Sequence, residues 1–156
     1  MEQERLKGLH IAAMVHDIGQ IQIPSEIMNR SRKLTVEEMD LVKMHAEAGY
    51  EILKDIRFPW PIAEMVYQHH ENVDGSGYPR GLKGEQLLPE AKIIRVCDSL
   101  NAMQSHRPFR GAYDQEGILA QLELGRGTYY DPEVLDVVLG MLRNRQLSWF
   151  TGGRKE

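Results

Sequence analysis

The chain has 156 residues (17.9 kDa), a formal net charge of -4 and a mean hydropathy of -0.44. That length suits one domain with a real core. The acidic balance argues against a DNA binder working by bulk charge, and the single cysteine, Cys97, excludes a disulfide framework or a Cys-rich zinc site. No apolar run of about 18 residues occurs, and the opening Met-Glu-Gln-Glu-Arg does not read as a signal peptide, so a cytoplasmic protein without a membrane span is expected.

Helical periodicity dominates. Leu9, Ala12, Ala13, His16 and Asp17 recur at i, i+3, i+4, i+7 and i+8, an apolar stripe that runs into two polar residues. Gly19 is expected to end that helix. A loop with Pro24 and the run Asn29-Arg30-Ser31-Arg32-Lys33 follows. Thr35-Val36-Glu37-Glu38 has the form of a capping box, and the helix it opens has the inner stripe Leu41, Met44, His45, Ala48, Ile52. Pro59 and Pro61 separate it from a helix with the stripe Ile62, Met65, Val66, His69, His70. Residues 71–89 hold four glycines and two prolines and no hydrophobic period, which reads as a long functional loop. A helix from about Glu90 carries Ile94, Cys97, Asp98 and Asn101 on one face, and Asp114 and Asp131-Pro132 have the form of N-caps for two more. The expectation is an all-α domain of five or six helices over residues 1–150, with a frayed tail at 151–156.

Three apolar stripes thus end in His16-Asp17, His45 and His69-His70, and a fourth contains Asp98. Taken singly, a histidine on an apolar face is usually a core residue with a satisfied ring nitrogen. An inward-facing Asp is harder to accommodate, because a buried carboxylate needs a cation, strong donors or a metal. Six such residues on four helices explain one another if they converge on divalent ions, the way helix bundles build metal sites. An all-N/O donor set suits iron, manganese, nickel or zinc. Asp17, adjacent to His16, could bridge two ions that hold a hydroxide and clamp an in-line phosphoryl displacement, so a phosphate ester is the expected substrate.

His16-Asp17-Ile18-Gly19, with Ile23-Pro24 behind it, resembles the signature of the HD-domain metal-dependent phosphohydrolases. His69-His70-Glu71, Asp74-Gly75-Ser76-Gly77-Tyr78-Pro79, Gly81-Leu82 and Asp98 with Arg107-Pro108-Phe109-Arg110 resemble the narrower HD-GYP subfamily, in order from about residue 9 to about 135. The resemblance implies an HD-domain-like helical bundle that hydrolyses the bacterial signal cyclic di-GMP to pGpG or GMP. It implies a centre of two or three ions, commonly iron or manganese, and two divalent ions are expected here. His16, Asp17, His45, His69, His70 and Asp98 match its metal ligands. Arg107 and Arg110 match positions that meet substrate phosphates, for which the planar guanidinium is well shaped. Tyr78 could stack on a guanine, and the Gly-Tyr-Pro loop is implicated in contacts with signalling partners.

Three departures stand out. Where the family has a lysine after His-Asp-Ile-Gly, this chain has Gln20, which can donate a hydrogen bond but brings no charge to the catalytic position beside Asp17. Asn101 stands where a further Asp is usual. Only 15 residues precede His16, so the helix that supplies another ligand is expected to be absent, leaving apolar surface that favours a homodimer. Two classes of function follow from these features. One is a cyclic di-GMP phosphodiesterase using two metals; the other is a catalytically impaired module that binds metal, cyclic di-GMP or a signalling partner. A general HD nucleotide phosphohydrolase is a third, less favoured by the Asp-Gly-Ser-Gly-Tyr-Pro segment.

Overall fold

The computed structural model describes residues 2–105, 113–144 and 146–147. Arg107 and Arg110, expected to bind substrate, lie outside the described residues, as does the tail 151–156. Among the described residues the protein is all-α: α1 (Gln3–Val15), α2 (Ser25–Met28), α3 (Val36–Lys43), α4 (His45–Leu53), α5 (Ile62–Gln68), α6 (Pro89–Gln104), α7 (Gln115–Leu124) and α8 (Pro132–Arg143). Two 3-10 turns, Ile18–Gln22 and Gly84–Gln86, complete the order.

The capping signals act as their chemistry dictates. Thr35 and Glu38 exchange both capping-box bonds, Thr35 N to Glu38 Oε2 at 2.9 Å and Glu38 N to Thr35 Oγ1 at 3.3 Å. The Asp114 carboxylate accepts from Gly117 N (2.8 Å), and that of Asp131 from Glu133 N (3.0 Å) and Val134 N (3.3 Å), with Pro132 in the first turn.

Several expectations are corrected. α1 ends at Val15, with His16 as its C-cap, so Gly19 does not terminate it and sits in the following 3-10 turn. The helix opened by Thr35 breaks at Met44 into α3 and α4. Its buried face is His45, Ala46, Ala48, Gly49 and Leu53, whereas Leu41 (42% exposed), Met44 (55%) and Ile52 face out. Leu41 and Met44 instead line an open groove of about 380 Å³ with Ile23, Pro24 and Ala48. On α6, Ile94 is buried but Cys97 and Asn101 are exposed, and on α1 Ala13 is exposed.

Two apolar clusters hold the helices. Ala12, Leu53, Ile62, Met65, Val66 and Ile94 join α1, α4, α5 and the first half of α6. Val96, Leu100, Met103, Ile118, Leu122, Tyr130, Leu135, Val138, Leu139 and Leu142 join the second half of α6 to α7 and α8. α6 is therefore a wall common to both clusters, and Asp98 lies on it between Val96 and Leu100. The Arg5 guanidinium on α1 holds the buried Glu90 carboxylate at the start of α6, 2.7 Å away. Leu135, fully buried on the i, i+3, i+4, i+7 face of α8, gives a direct test of this packing. Leu135→Ala is expected to cost about 2–5 kcal/mol in urea unfolding through lost burial and the cavity left behind.

Candidate metal centre

Helix ends deliver most of the site. α1 and α5 stop at Val15 and Gln68, placing His16 and His69 at their C-caps. α4 starts on His45 where the chain breaks at Met44, and α6 brings Asp98 from its middle. Asp17 opens the 3-10 turn, which the Gln20 amide tightens by donating to the Asp17 carbonyl at 2.9 Å. That turn lies directly on α4. A Cβ on Gly19 would stand 2.0 Å from the His45 carbonyl oxygen and 2.5 Å from Gly49 N, so only glycine fits.

Three of the rings are oriented by the main chain in the same way. The Nδ1 atoms of His16, His45 and His69 meet the carbonyls three residues earlier, Ala13, Val42 and Val66, at 2.7, 2.5 and 2.5 Å. With Nδ1–H donating there, each Nε2 is turned into the site as the candidate ligand atom. The Asp17 carboxylate divides between them: Oδ2 faces His16 Nε2 at 3.3 Å, and Oδ1 faces His45 Nε2 at 3.4 Å and His69 Nε2 at 3.9 Å. Asp98 Oδ1 lies 3.9 Å from His16 Nε2. Ligand atoms of Asp17, His45, His69 and His70 all fall within 4.8 Å of one another. Of the six expected metal ligands, four therefore share one cluster, His16 joins it through Asp17, and Asp98 neighbours His16.

Charge distribution separates the two sides of Asp17. The hydrogen bond that His16 donates to the Asp17 carboxylate raises His16 to about 9, against the burial that would lower it. Burial would raise the Asp17 carboxyl, but the bond and charge of His16, with His45 and His69 behind, bring it down to about 2. Burial pushes His69 down to about 4 and His70 to about 2, so these rings are neutral and ready to ligate at pH 7. His45 Nε2 and His69 Nε2 lie 3.2 Å apart. With both Nδ1 atoms on main-chain carbonyls, the two Nε2 atoms face each other beside the Asp17 carboxylate, a grouping of N and O donors that suits a cation. The donor set and its geometry thus fit divalent metal binding.

The loop after His70 forms one wall. Tyr78 stacks on His70 with ring centroids 4.8 Å apart and planes at 27°, and Lys43 Nζ lies 5.9 Å from the Tyr78 centroid. Burial raises the Tyr78 phenol well above its ordinary value, so it stays protonated. Sequence reasoning missed the roles of two residues here. Glu71 is a buried carboxylate that accepts from the amides of Arg80 and Leu82. Arg95 donates from Nε to Asn72 Oδ1 (3.0 Å) and from a terminal nitrogen to Ser99 Oγ (2.6 Å), tying the loop to α6 one turn before Asp98. The available signal was a carboxylate opening a glycine-rich loop, whose unpaired amides need acceptors. Gln20 is half-buried in the 3-10 turn, and Asn101 and His10 are exposed.

A family model described as an HD domain matches residues 1–134. The cyclic di-GMP phosphodiesterase response regulator RpfG of Xanthomonas campestris is 39% identical over 141 residues, covering 89% of this chain and 37% of that protein. The 3'3'-cGAMP-specific phosphodiesterase 1 of Vibrio cholerae is 32% identical over 147 residues, covering 92% of this chain and 33% of that protein. The chain therefore spans little more than a third of the length of these relatives. Among solved structures, Bd1817, an HDG"Y"P protein from Bdellovibrio bacteriovorus, shares the fold with a TM-score of 0.73 at 18% identity, over 92% of this chain and 45% of that one.

Proposed function

Since the chain belongs to the HD domain family and carries the HD-GYP order of motifs, we propose that it hydrolyses cyclic di-GMP to pGpG or GMP with two divalent ions, iron or manganese. The observation that carries this reading is the cluster of Asp17, His45, His69 and His70, whose ligand atoms lie within 4.8 Å of one another, with the Asp17 carboxylate split between His16 and His45. His16, Asp17 and Asp98 would hold one ion, and Asp17, His45, His69 and His70 the other. When bound, such a pair supplies an activated water at neutral pH and clamps an in-line phosphoryl displacement.

The chain's own residues do the rest. The main-chain carbonyls of Ala13, Val42 and Val66 keep three imidazoles in the ligating tautomer. Tyr78, with Lys43 above its ring, sets an aromatic face and a cation beside the ligands, a pairing that suits a nucleotide. Arg107 and Arg110 are assigned to the phosphates from the family pattern alone. A signalling partner would meet the Gly-Tyr-Pro loop, where Asp74, Ser76, Pro79 and Arg80 are exposed. No helix among the described residues is long and apolar enough to cross a membrane.

Gln20 favours a second reading, a module that binds metal and cyclic dinucleotide without turnover. Metal analysis with turnover assays on cyclic di-GMP and 3'3'-cGAMP separates the two, with His69→Ala as control. The expected result is bound metal, hydrolysis of cyclic di-GMP that His69→Ala abolishes, and faster turnover in Gln20→Lys. Bound metal without turnover, even in Gln20→Lys, selects the binding module. Preference for 3'3'-cGAMP moves the substrate assignment, and protein that takes up no metal overturns both readings.

A further inference from the structure

His70 differs from the other three histidines of the centre. His16, His45 and His69 each have Nδ1 on a main-chain carbonyl, whereas among the described residues no such bond orients His70. Its ring is set by its neighbours: His69 at 4.0 Å, His45 at 5.0 Å, and the Tyr78 ring stacked at 4.8 Å. Tyr78 is held there by the path of the loop. Its amide donates to the His70 carbonyl at 3.2 Å, and Gly77 passes so close that a Cβ would lie 2.3 Å from Asn72 N and 2.5 Å from Glu71 Cα.

Glu71 closes this loop from inside. It is 2% exposed, follows His70 directly, and spends its two oxygens on main-chain amides across the loop, Oε1 on Arg80 N at 2.7 Å and Oε2 on Leu82 N at 3.0 Å. The Arg80 side chain meanwhile reaches back to α5, donating to Glu64 Oε2 at 2.7 Å and lying 4.4 Å over the Tyr67 ring. Charge-assisted bonds to buried amides are strong and directional, so the carboxylate fixes the returning limb of the loop relative to His70.

We propose that Glu71 is a positioning residue for the metal centre. It closes the 71–82 loop, and the closed loop presses the Tyr78 ring against His70, orienting this ligand as a main-chain carbonyl orients the other three. The proposal rests on the reading of His70 as a metal ligand. Residues that merely orient ligands typically contribute about 10–100-fold to metal affinity, which sets the expected size.

Titration of the full chain with Co²⁺, followed by its visible absorption, tests this without any assay of turnover. Glu71→Ala and Tyr78→Ala are expected to weaken Co²⁺ binding by about 10–100-fold and to shift the absorption in the same direction as His70→Ala. Tyr78→Phe keeps the ring and should keep both affinity and spectrum. Glu71→Gln, which retains one acceptor oxygen, should fall between wild type and Glu71→Ala. The double variant Glu71→Ala/Tyr78→Ala should bind no more weakly than the worse single one, because both act along one path. A folded Glu71→Ala protein with wild-type affinity and spectrum overturns the proposal, as do additive losses in the double variant. If Glu71→Ala does not fold, Tyr78→Ala decides, and native Co²⁺ binding there is equally fatal. The ligand reading fails separately, and visibly, if His70→Ala binds Co²⁺ as wild type does.

Discussion

Asp17→Asn is expected to strip the protein of tightly held metal and to cut any cyclic dinucleotide turnover by more than about a hundredfold, since groups that only orient ligands already contribute about 10–100-fold. Asp17 is the one carboxylate within 4 Å of three histidine Nε2 atoms among the described contacts, and its two oxygens face opposite sides of the cluster. The metal-free protein offers an independent readout. The raised value of His16, about 9, comes first from its hydrogen bond to Asp17, so the imidazole should titrate back toward its ordinary 6.5 in the variant, as NMR would show. The sign of the pH dependence follows from both partners. His16 contributes stability fully present below pH 6.5 and lost as pH rises through about 9. Asp17 contributes stability present above pH 3.8 and lost as pH falls through about 2. In metal-free wild type the pair therefore stabilises most between about pH 4 and 6.5, and Asp17→Asn should lower the thermal midpoint more there than at pH 10. A variant that keeps its metal, or whose His16 still titrates near 9, would contradict the assignment of Asp17.

Gly19→Ala should be among the most damaging single-methyl changes at the described glycines. Its Cβ would stand 2.0 Å from the His45 carbonyl oxygen, and that oxygen belongs to a helix backbone that no rotamer change can move aside. Overpacking a core side chain typically costs about 1–3 kcal/mol, and a clash of backbone against Cβ should reach at least the top of that range. Urea unfolding measures the loss. Because the helix that must retreat carries His45, metal affinity should fall in the folded fraction as well. Native stability in this variant would mean that the 3-10 turn and α4 can separate without harm.

The contrast between these two residues shows how far the sequence could be read. Asp17, His16, His45, His69, His70 and Asp98 were legible because polar side chains at the ends of apolar stripes violate the helical pattern, and the violation needs a common explanation. Thr35, Asp114 and Asp131 were legible because N-caps are local chemistry. Gly19 was misread, since a glycine after a helical stripe has the same signature whether it caps the helix or admits a neighbouring backbone. The break at Met44 carries no glycine or proline to announce it. α4 inverted the usual rule: Ala46, Ala48 and Gly49 face inward because the 3-10 turn lies against them, which pushes the bulkier Met44 and Ile52 outward. Periodicity identifies a face, but the approach of another backbone decides which face is covered. Glu71 was read only as part of a motif, without a role, because its partners are amides, and main-chain donors leave no mark in a sequence.

The carbonyls behind His16, His45 and His69 carry an evolutionary consequence. Where ligand orientation is supplied by a side-chain carboxylate, that residue must be inherited together with the ligand and can be lost by point mutation. Here three of the four imidazoles take their orientation from the peptide backbone itself, through the carbonyls of Ala13, Val42 and Val66, whose side chains are irrelevant to the bond. The bond itself therefore leaves exposed Ala13 and half-buried Val42 open to exchange while the rings stay aimed, whereas Val66 is held by its place in the core. The inheritance that must be guarded narrows to the histidines, the glycine that seats α4, and the single loop that serves the fourth ring.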